Sequence, residues 1–111
     1  MSLPTTSDAA FAADVLASAE PVLVDFTASW CPPCRMVEPV LERIAAEQAG
    51  RLRVVSLDVD ANPETARAYS VLGMPTLSLF IGGQRVASLT GARPQAAIMA
   101  AFDPHLPAAV R

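Results

Sequence analysis

Apolar and polar residues follow two spacings along the chain, one typical of strands and one typical of helices. Apolar runs of strand length predict strands over 22–26, 51–59, 77–81 and 85–90. Apolar residues three or four positions apart predict helices over 8–19, 33–48, 64–70 and 95–102. A further strand within 1–6 is weak, because Pro4 lacks the backbone N–H that a central strand needs.

The order of these elements predicts an α/β fold. Strands separated by helices pair in parallel through right-handed crossovers, whereas the two strands joined by Gly82-Gly83 form an antiparallel hairpin. We expect a central mixed sheet of five strands, or of four if the first strand does not form, flanked by four helices. A chain of 111 residues suits one core, so we expect a single domain over 1–106 and a C-terminal tail over 107–111.

Composition and charge argue against two classes of partner. The net charge is −3 and the sequence has no lysine, so no basic patch is expected that would bind nucleic acid. No apolar run approaches the roughly 20 residues of a membrane span, and the first residues lack the pattern of a signal peptide. We therefore expect a cytoplasmic protein without membrane contact, in a compartment where a cysteine pair is more often catalytic than structural.

The two cysteines, Cys31 and Cys34, stand three positions apart at the start of a predicted helix. A Cys-x-x-Cys motif within alternating strands and helices indicates redox chemistry. The free N–H groups and positive dipole of a helix N-terminus favour a thiolate there. The i, i+3 spacing puts both sulfurs on one face, close enough for a disulfide. Cys31 is then the expected nucleophile and Cys34 the thiol that resolves a mixed disulfide.

Three other interpretations of the cysteine pair are weaker. Cysteines can be inert core residues, but the motif and its context favour redox chemistry. A disulfide between i and i+3 closes too small a loop to contribute much stability. A zinc site needs four ligands and the chain has one histidine, His105, so we expect no metal. Pro32 and Pro33 remove two N–H donors from beside the Cys31 sulfur and stiffen the motif, so both are candidate modulators of its redox potential.

Asp25 interrupts the apolar run 22–26, where a carboxylate is costly unless it is paired or protonated. It is either an acid at a strand end that faces water, or a buried proton acceptor beneath the cysteines. The Cys-x-x-Cys motif six residues later favours the second interpretation.

A set of motifs from about residue 7 to residue 106 resembles the thioredoxin family. The resemblance implies a thioredoxin fold, reversible dithiol–disulfide exchange, a cis peptide bond before Pro75, and Asp25 as the proton acceptor that serves Cys34. The motifs that carry it are Val24-Asp25-Phe26, Ala28-x-Trp30-Cys31-x-Pro33-Cys34, Pro39, Asp60-x-Asn62-Pro63, Gly73-x-Pro75-Thr76, Gly82-Gly83 and Gly91.

The same resemblance implies a groove in which a client peptide pairs with the backbone of Met74. The groove residues would be Trp30, Val59, Gly73, Met74, Pro75, Thr90, Gly91 and Ala92.

Three departures from the family pattern bear on the site. Pro32 replaces the usual glycine, Thr27 stands where many bacterial members have a second tryptophan, and Ser56 replaces a buried lysine that faces the acid. Without that cation, burial should raise the pKa of Asp25 with less opposition.

The implied function is that of a protein disulfide reductase. It would act as a monomer without a bound cofactor, on disulfide-containing clients, and be reduced by a thioredoxin reductase that carries the NADPH and FAD. One alternative is an oxidoreductase of different redox poise, such as a cytochrome-maturation reductase or an oxidase. The spacing between Cys34 and Pro75, as in ordinary thioredoxins, argues against it. Another alternative is a binding subunit without redox activity.

Overall fold

The computed structural model describes residues 2–108. Its strands are β1 (Val22–Thr27), β2 (Arg53–Asp58), β3 (Thr76–Ile81) and β4 (Gln84–Thr90). Its α-helices are α1 (Pro32–Glu47), α2 (Pro63–Ala68) and α3 (Gln95–Phe102), with a π-helical segment at Ala12–Leu16 and a 3₁₀ turn at Asp103–His105. The four strands form one sheet in the order β2-β1-β3-β4.

The N-terminal residues make a single bridge instead of a fifth strand. Thr5 bridges Ser56 in parallel, with a 2.9 Å hydrogen bond from Thr6 N–H to Ser56 O and another from Ser56 N–H to Pro4 O. Because Pro4 has no N–H to donate, this ladder cannot grow past it. The sheet therefore has the smaller of the two sizes that the sequence allowed. Met1 lies outside the described residues.

The first helix is shorter and wider than the predicted helix over 8–19. Ala17 N–H donates to Ala12 O, five residues back, at 2.9 Å. Its two main apolar residues, Phe11 and Val15, are buried as predicted. Ser7 Oγ accepts a 3.1 Å hydrogen bond from Ala10 N–H, and residues 8–10 form a turn before the helix begins at Phe11. The Asp8 carboxylate accepts hydrogen bonds from the first turn of α2.

The sheet is mixed, as predicted. β1 pairs in parallel with β2 and antiparallel with β3, and β3 and β4 form the hairpin. Gly82 and Gly83 make its turn with φ of +60° and +82°, which glycine adopts without steric cost.

The core has two layers, one on each face of the sheet. On one face, Leu23 of β1 and Leu77 of β3 belong to a cluster with residues of α1 and α3. On the other, Phe26 and Phe80 pack with Phe11 and with both cysteines. Because side chains alternate along a strand, Asp25 lies on the same face as Leu23, beneath α1.

The C-terminal residues reach back to the chain before β2. Leu106 packs against the core, and Arg51 Nε donates to Pro107 O at 2.7 Å. Residues 109–111 of the predicted tail lie outside the described part, so the division at residue 106 stays a prediction. Within residues 2–108, no helix is long and apolar enough to cross a membrane.

Candidate active site

Cys31 is the N-cap of α1, which begins at Pro32, one residue earlier than predicted. The two prolines fill the first two helical positions, whose N–H groups a helix leaves unpaired. Cys34 N–H donates to Cys31 Sγ at 3.3 Å, so the sulfur takes the place of a capping oxygen. Both cysteines are free thiols, with 3% and 2% of their surface exposed.

The loop before β3 brings a backbone acceptor to the first cysteine. Cys31 Sγ lies 3.7 Å from Met74 O, to which its S–H donates, and the Met74-Pro75 peptide bond is cis. Pro75 O in turn accepts a 2.8 Å hydrogen bond from Gly91 N–H. Four of the predicted site residues thus meet at one point, although they come from three separate parts of the sequence.

The other predicted groove residues lie around this point. Val59 and Met74 line a depression of about 480 Å³, and Gly73 and Thr90 line a neighbouring one of about 350 Å³. Ala92 is exposed and follows Gly91 directly. The two depressions adjoin through Ser70, Val71 and Leu72, which line both, and the client groove itself stays a prediction.

Trp30 directly precedes Cys31, and 62% of its surface is exposed. Its Nε1 donates to Asp60 Oδ2 at 2.7 Å. Sequence reasoning missed Asp60 as a site residue. A signal existed, because Asp60 follows β2 closely as Trp30 follows β1, and parallel neighbours end at the same edge of a sheet.

Asp25 is buried without a partner for one of its oxygens. Only 1% of its surface is exposed, and Oδ1 makes no hydrogen bond within residues 2–108. Its neighbours in register are Ser56 on β2 and Leu77 on β3, neither of which supplies a charge. Burial, and then the nearby Glu38 carboxylate, raise the pKa of Asp25 from 3.8 to about 7.

Glu38 was not among the predicted site residues. It is half-buried on α1, one helical turn after Cys34, so the i, i+4 spacing was the available signal. No hydrogen bond joins Asp25 to Cys34 in the described structure, so proton exchange between them requires an intervening water or a small movement.

Burial raises the pKa of the Cys34 thiol, and its hydrogen bond with Cys31 acts in the same direction. The Thr27 side chain and the Ala28 backbone act against this rise. Cys34 is thus held as a thiol until a base or a change of environment helps to remove its proton. Within residues 2–108, no group of three or more His, Cys, Asp or Glu side chains could hold a metal ion.

Two thiols at a helix N-terminus, opposite the carbonyl of the residue before a cis-proline on an α/β fold, define a dithiol–disulfide exchange protein. The model of the family described as Thioredoxin matches residues 2–103. A thioredoxin from Mycobacterium bovis is 54% identical over 101 residues, covering 91% of this chain and 87% of the relative. One from Synechocystis is 48% identical over 103 residues, covering 93% and 96%.

A bifunctional thioredoxin reductase/thioredoxin from Mycobacterium leprae is 57% identical over 93 residues. These residues are 84% of this chain and 20% of that longer protein. The chain belongs to the thioredoxin family, and the four-stranded mixed sheet with its flanking helices is the thioredoxin fold. Its activity is that of a protein disulfide oxidoreductase.

Proposed function

We propose that this chain reduces disulfide bonds of client proteins through Cys31 and Cys34. The observation that carries the proposal is the position of Cys31 Sγ, between the N–H of Cys34 and the carbonyl of Met74. The Cys31 thiolate attacks one sulfur of the client disulfide, so that a mixed disulfide forms and the other client sulfur leaves as a thiolate. Cys34, as thiolate, then attacks Cys31 Sγ and releases the second client sulfur.

The exchange balances without a further reactant. The Cys31–Cys34 dithiol loses two electrons and two protons and becomes a disulfide, while the client disulfide gains them and becomes a dithiol. Asp25 accepts the proton that Cys34 must lose in the second step, by way of a bridging water. Its pKa of about 7 supports this role, since such a carboxyl can both take and return a proton near neutral pH.

The client segment lies in the groove beside Cys31, with its backbone against Met74. Seven residues surround the bound client segment: Trp30, Val59, Gly73, Pro75, Thr90, Gly91 and Ala92. Three others adjust the redox and proton chemistry of the cysteine pair: Pro32, Pro33 and Ser56. Support comes from the hydrogen bonds that join the cis-proline loop to Cys31 and to Gly91.

A thioredoxin reductase restores the dithiol, and the NADPH and FAD belong to that partner. Support comes from the Mycobacterium leprae relative, whose name joins a reductase and a thioredoxin in one protein. This chain would act as a monomer in the cytoplasm, with no bound cofactor and no nucleic-acid or membrane partner. One domain over 1–106 would carry the activity, with 107–111 as a tail.

The test is the reduction of a disulfide-bonded model protein by the reduced chain, with Ser29→Ala as a control beside the motif. Cys31→Ser should abolish reduction. Cys34→Ser should trap a mixed disulfide, visible by mass spectrometry as an adduct with one client molecule. Equal client binding by all variants with no reduction by the wild type would favour a binding subunit. A strongly oxidising reduction potential would favour an oxidase.

A further inference from the structure

The depression of about 350 Å³ described above contains Gly73 and Thr90, which the family resemblance places in the client groove. Tyr69 and Ser70 line it from the end of α2, and Arg85 lines it from β4. We refer to this depression as the Arg85 pocket.

The Arg85 guanidinium is held in place by two contacts with one residue. Its Nη1 donates to Tyr69 O at 2.6 Å, and its Cζ lies 5.4 Å from the centre of the Tyr69 ring. The Tyr69 ring is itself fixed by edge-on packing against Phe80 at 5.0 Å and by a tilted contact with Phe11 at 5.8 Å. The cation is therefore ordered before any ligand arrives, which lowers the entropic cost of binding.

The charge of Arg85 is not neutralised by the described part of the chain. A carboxylate oxygen lies within 3.9 Å of a guanidinium nitrogen in Arg51, Arg53 and Arg67. Within residues 2–108, no carboxylate oxygen lies within 4.0 Å of the Arg85 guanidinium. The pocket contains no acidic residue. It does contain the hydroxyls of Ser70 and Thr90, which make no hydrogen bond within residues 2–108. The pocket thus offers a fixed fork of N–H donors and two hydroxyls to an anionic group.

We propose that the Arg85 pocket binds an acidic side chain of the client protein and so favours clients that carry one at a set distance from their disulfide. The inference rests on the proposed function, since the client reaches the pocket through the groove. Thr90 and Arg85 are five positions apart on β4, or about 16 Å at a rise of about 3.3 Å per residue. An extended client segment would span this distance with about five residues.

A carboxylate is recognised here by the same chemistry as a small free anion. The proposed function favours the client carboxylate, because Gly73 and Thr90 belong both to the pocket lining and to the proposed client groove. A free anion needs no such continuity. Inorganic phosphate is therefore the second probe in the experiment.

The experiment uses peptides that carry a cysteine in a mixed disulfide with a chromogenic thiol. Each pair of peptides differs by Glu against Gln at one position, scanned from three to seven residues on either side of the cysteine. The reduced chain, Arg85→Gln, Arg85→Lys and the control Arg43→Gln are compared at low ionic strength. Arg43 lies on α1 and contacts Gln95, so its replacement makes the same change in net charge outside the pocket.

At one spacing we expect the wild type and Arg43→Gln to react about threefold faster with the Glu peptide than with the Gln peptide. Arg85→Gln should bring this ratio to one while still reducing the Gln peptide at the wild-type rate. Arg85→Lys should give an intermediate ratio, since it keeps the charge but loses the planar fork. Added salt should lower the wild-type ratio.

Three results would overturn the inference. One is an unchanged ratio in Arg85→Gln, and another is an equal fall in Arg43→Gln, which would indicate net charge alone. The third is saturable binding of phosphate at Arg85, detected by NMR of its Nε, in a wild type that reacts equally fast with the Glu and Gln peptides. Failure of the wild type to reduce either peptide would instead contradict the proposed function.

Discussion

Folding favours the protonated form of the Asp25 carboxyl group. Its pKa rises from 3.8 to about 7, so its contribution to stability is fully present below pH 3.8 and is lost as the pH rises through about 7. The shift of about three pH units corresponds to at most about 4 kcal/mol, at 1.36 kcal/mol per unit.

Replacing Asp25 by Asn removes this titration. We expect the free energy of unfolding of Asp25→Asn, relative to the wild type, to be higher at pH 8 than at pH 4 by up to about 4 kcal/mol. Urea titrations at the two pH values would measure it, with Glu42→Gln as a control for the loss of one charge. Parallel pH dependence in Asp25→Asn and the wild type would contradict the assigned pKa.

Glu38 adds a second cause to the raised pKa of Asp25, after burial. Because a neighbouring negative charge disfavours ionisation, Glu38→Gln should lower the pKa of Asp25 from about 7. Burial is the larger cause, so the pKa should stay above 3.8.

NMR titration of the Asp25 carboxyl carbon would measure the change. Glu42→Gln is the matched control, since Glu42 lies one helical turn further along α1 and does not contribute to the shift. A pKa of Asp25 that stays the same in Glu38→Gln would show that burial acts alone.

The short helix α2 depends on a cap from a distant part of the chain. Asp8 Oδ1 accepts from Thr65 N–H at 2.8 Å and from the Thr65 hydroxyl at 2.7 Å, and its Oδ2 accepts from Glu64 N–H at 3.0 Å. Three donors at the start of α2 are thus satisfied by one carboxylate. Desolvation raises the pKa of Asp8, but these hydrogen bonds and Arg67 outweigh it, and the net shift is downward.

Asp8→Ala should therefore destabilise the fold at neutral pH. Since the folded pKa is lowered, the stabilisation is present above pH 3.8 and disappears as the pH falls through the lowered pKa. We expect a lower urea midpoint at pH 7 and faster amide exchange at Glu64 and Thr65. Glu42→Gln again controls for the charge. Unchanged exchange at these two amides would show that the cap does not stabilise α2.

Local patterns predicted most of the elements and the position of the cysteine pair. Periodicity gave the four strands, and the prolines after Cys31 gave the start of α1 to within one residue. The sequence left the number of strands open at five or four, and the effect of Pro4 on the first strand was visible in it. The shorter first helix was not visible, because the hydrogen bond from Ala17 N–H to Ala12 O has no signature in the spacing of apolar residues. The contact of Asp8 with Thr65 joins two distant segments, which no local pattern contains.

The same limit applies to the site. The Asp60 partner of Trp30 and the Glu38 neighbour of Asp25 become visible only when separate segments are brought together. The groove residues were predicted from the family resemblance, which already contains such long-range information.

Arg51 joins the segment between α1 and β2 to the C-terminal part of the fold. Its Nη1 donates to Gln48 Oε1 at 2.9 Å and Asp103 Oδ1 at 2.8 Å, while its Nε donates to Pro107 O. The Arg51 side chain is only 16% exposed, whereas that of Asp103 is 53% exposed. The C-terminal part of the fold is thereby attached to the segment between α1 and β2.

Arg51→Met should keep the apolar stem of the side chain and remove these hydrogen bonds. We expect the free energy of unfolding to fall by about 1–2 kcal/mol, with faster amide exchange around residues 103–107. Arg43→Met is the control, because Arg43 makes one exposed contact to Gln95 at 3.3 Å. An equal fall in both variants would mean that the hydrogen bonds of Arg51 do not contribute to the free energy of unfolding.

The bridge at Ser56 also bears on how the protein behaves when it is concentrated. An open sheet can add strands from other molecules at its two edges, which is a first step towards aggregation. Pro4 and Thr6 occupy the backbone groups of Ser56 at the β2 edge, and Pro4 itself cannot donate to an incoming strand. The ladder between β3 and β4 shifts register at Leu79 and Phe80, so Val86 has no partner on β3 and the edge strand β4 carries a bulge. An incoming strand therefore meets occupied backbone groups at Ser56 on one edge of the sheet and an irregular strand on the other.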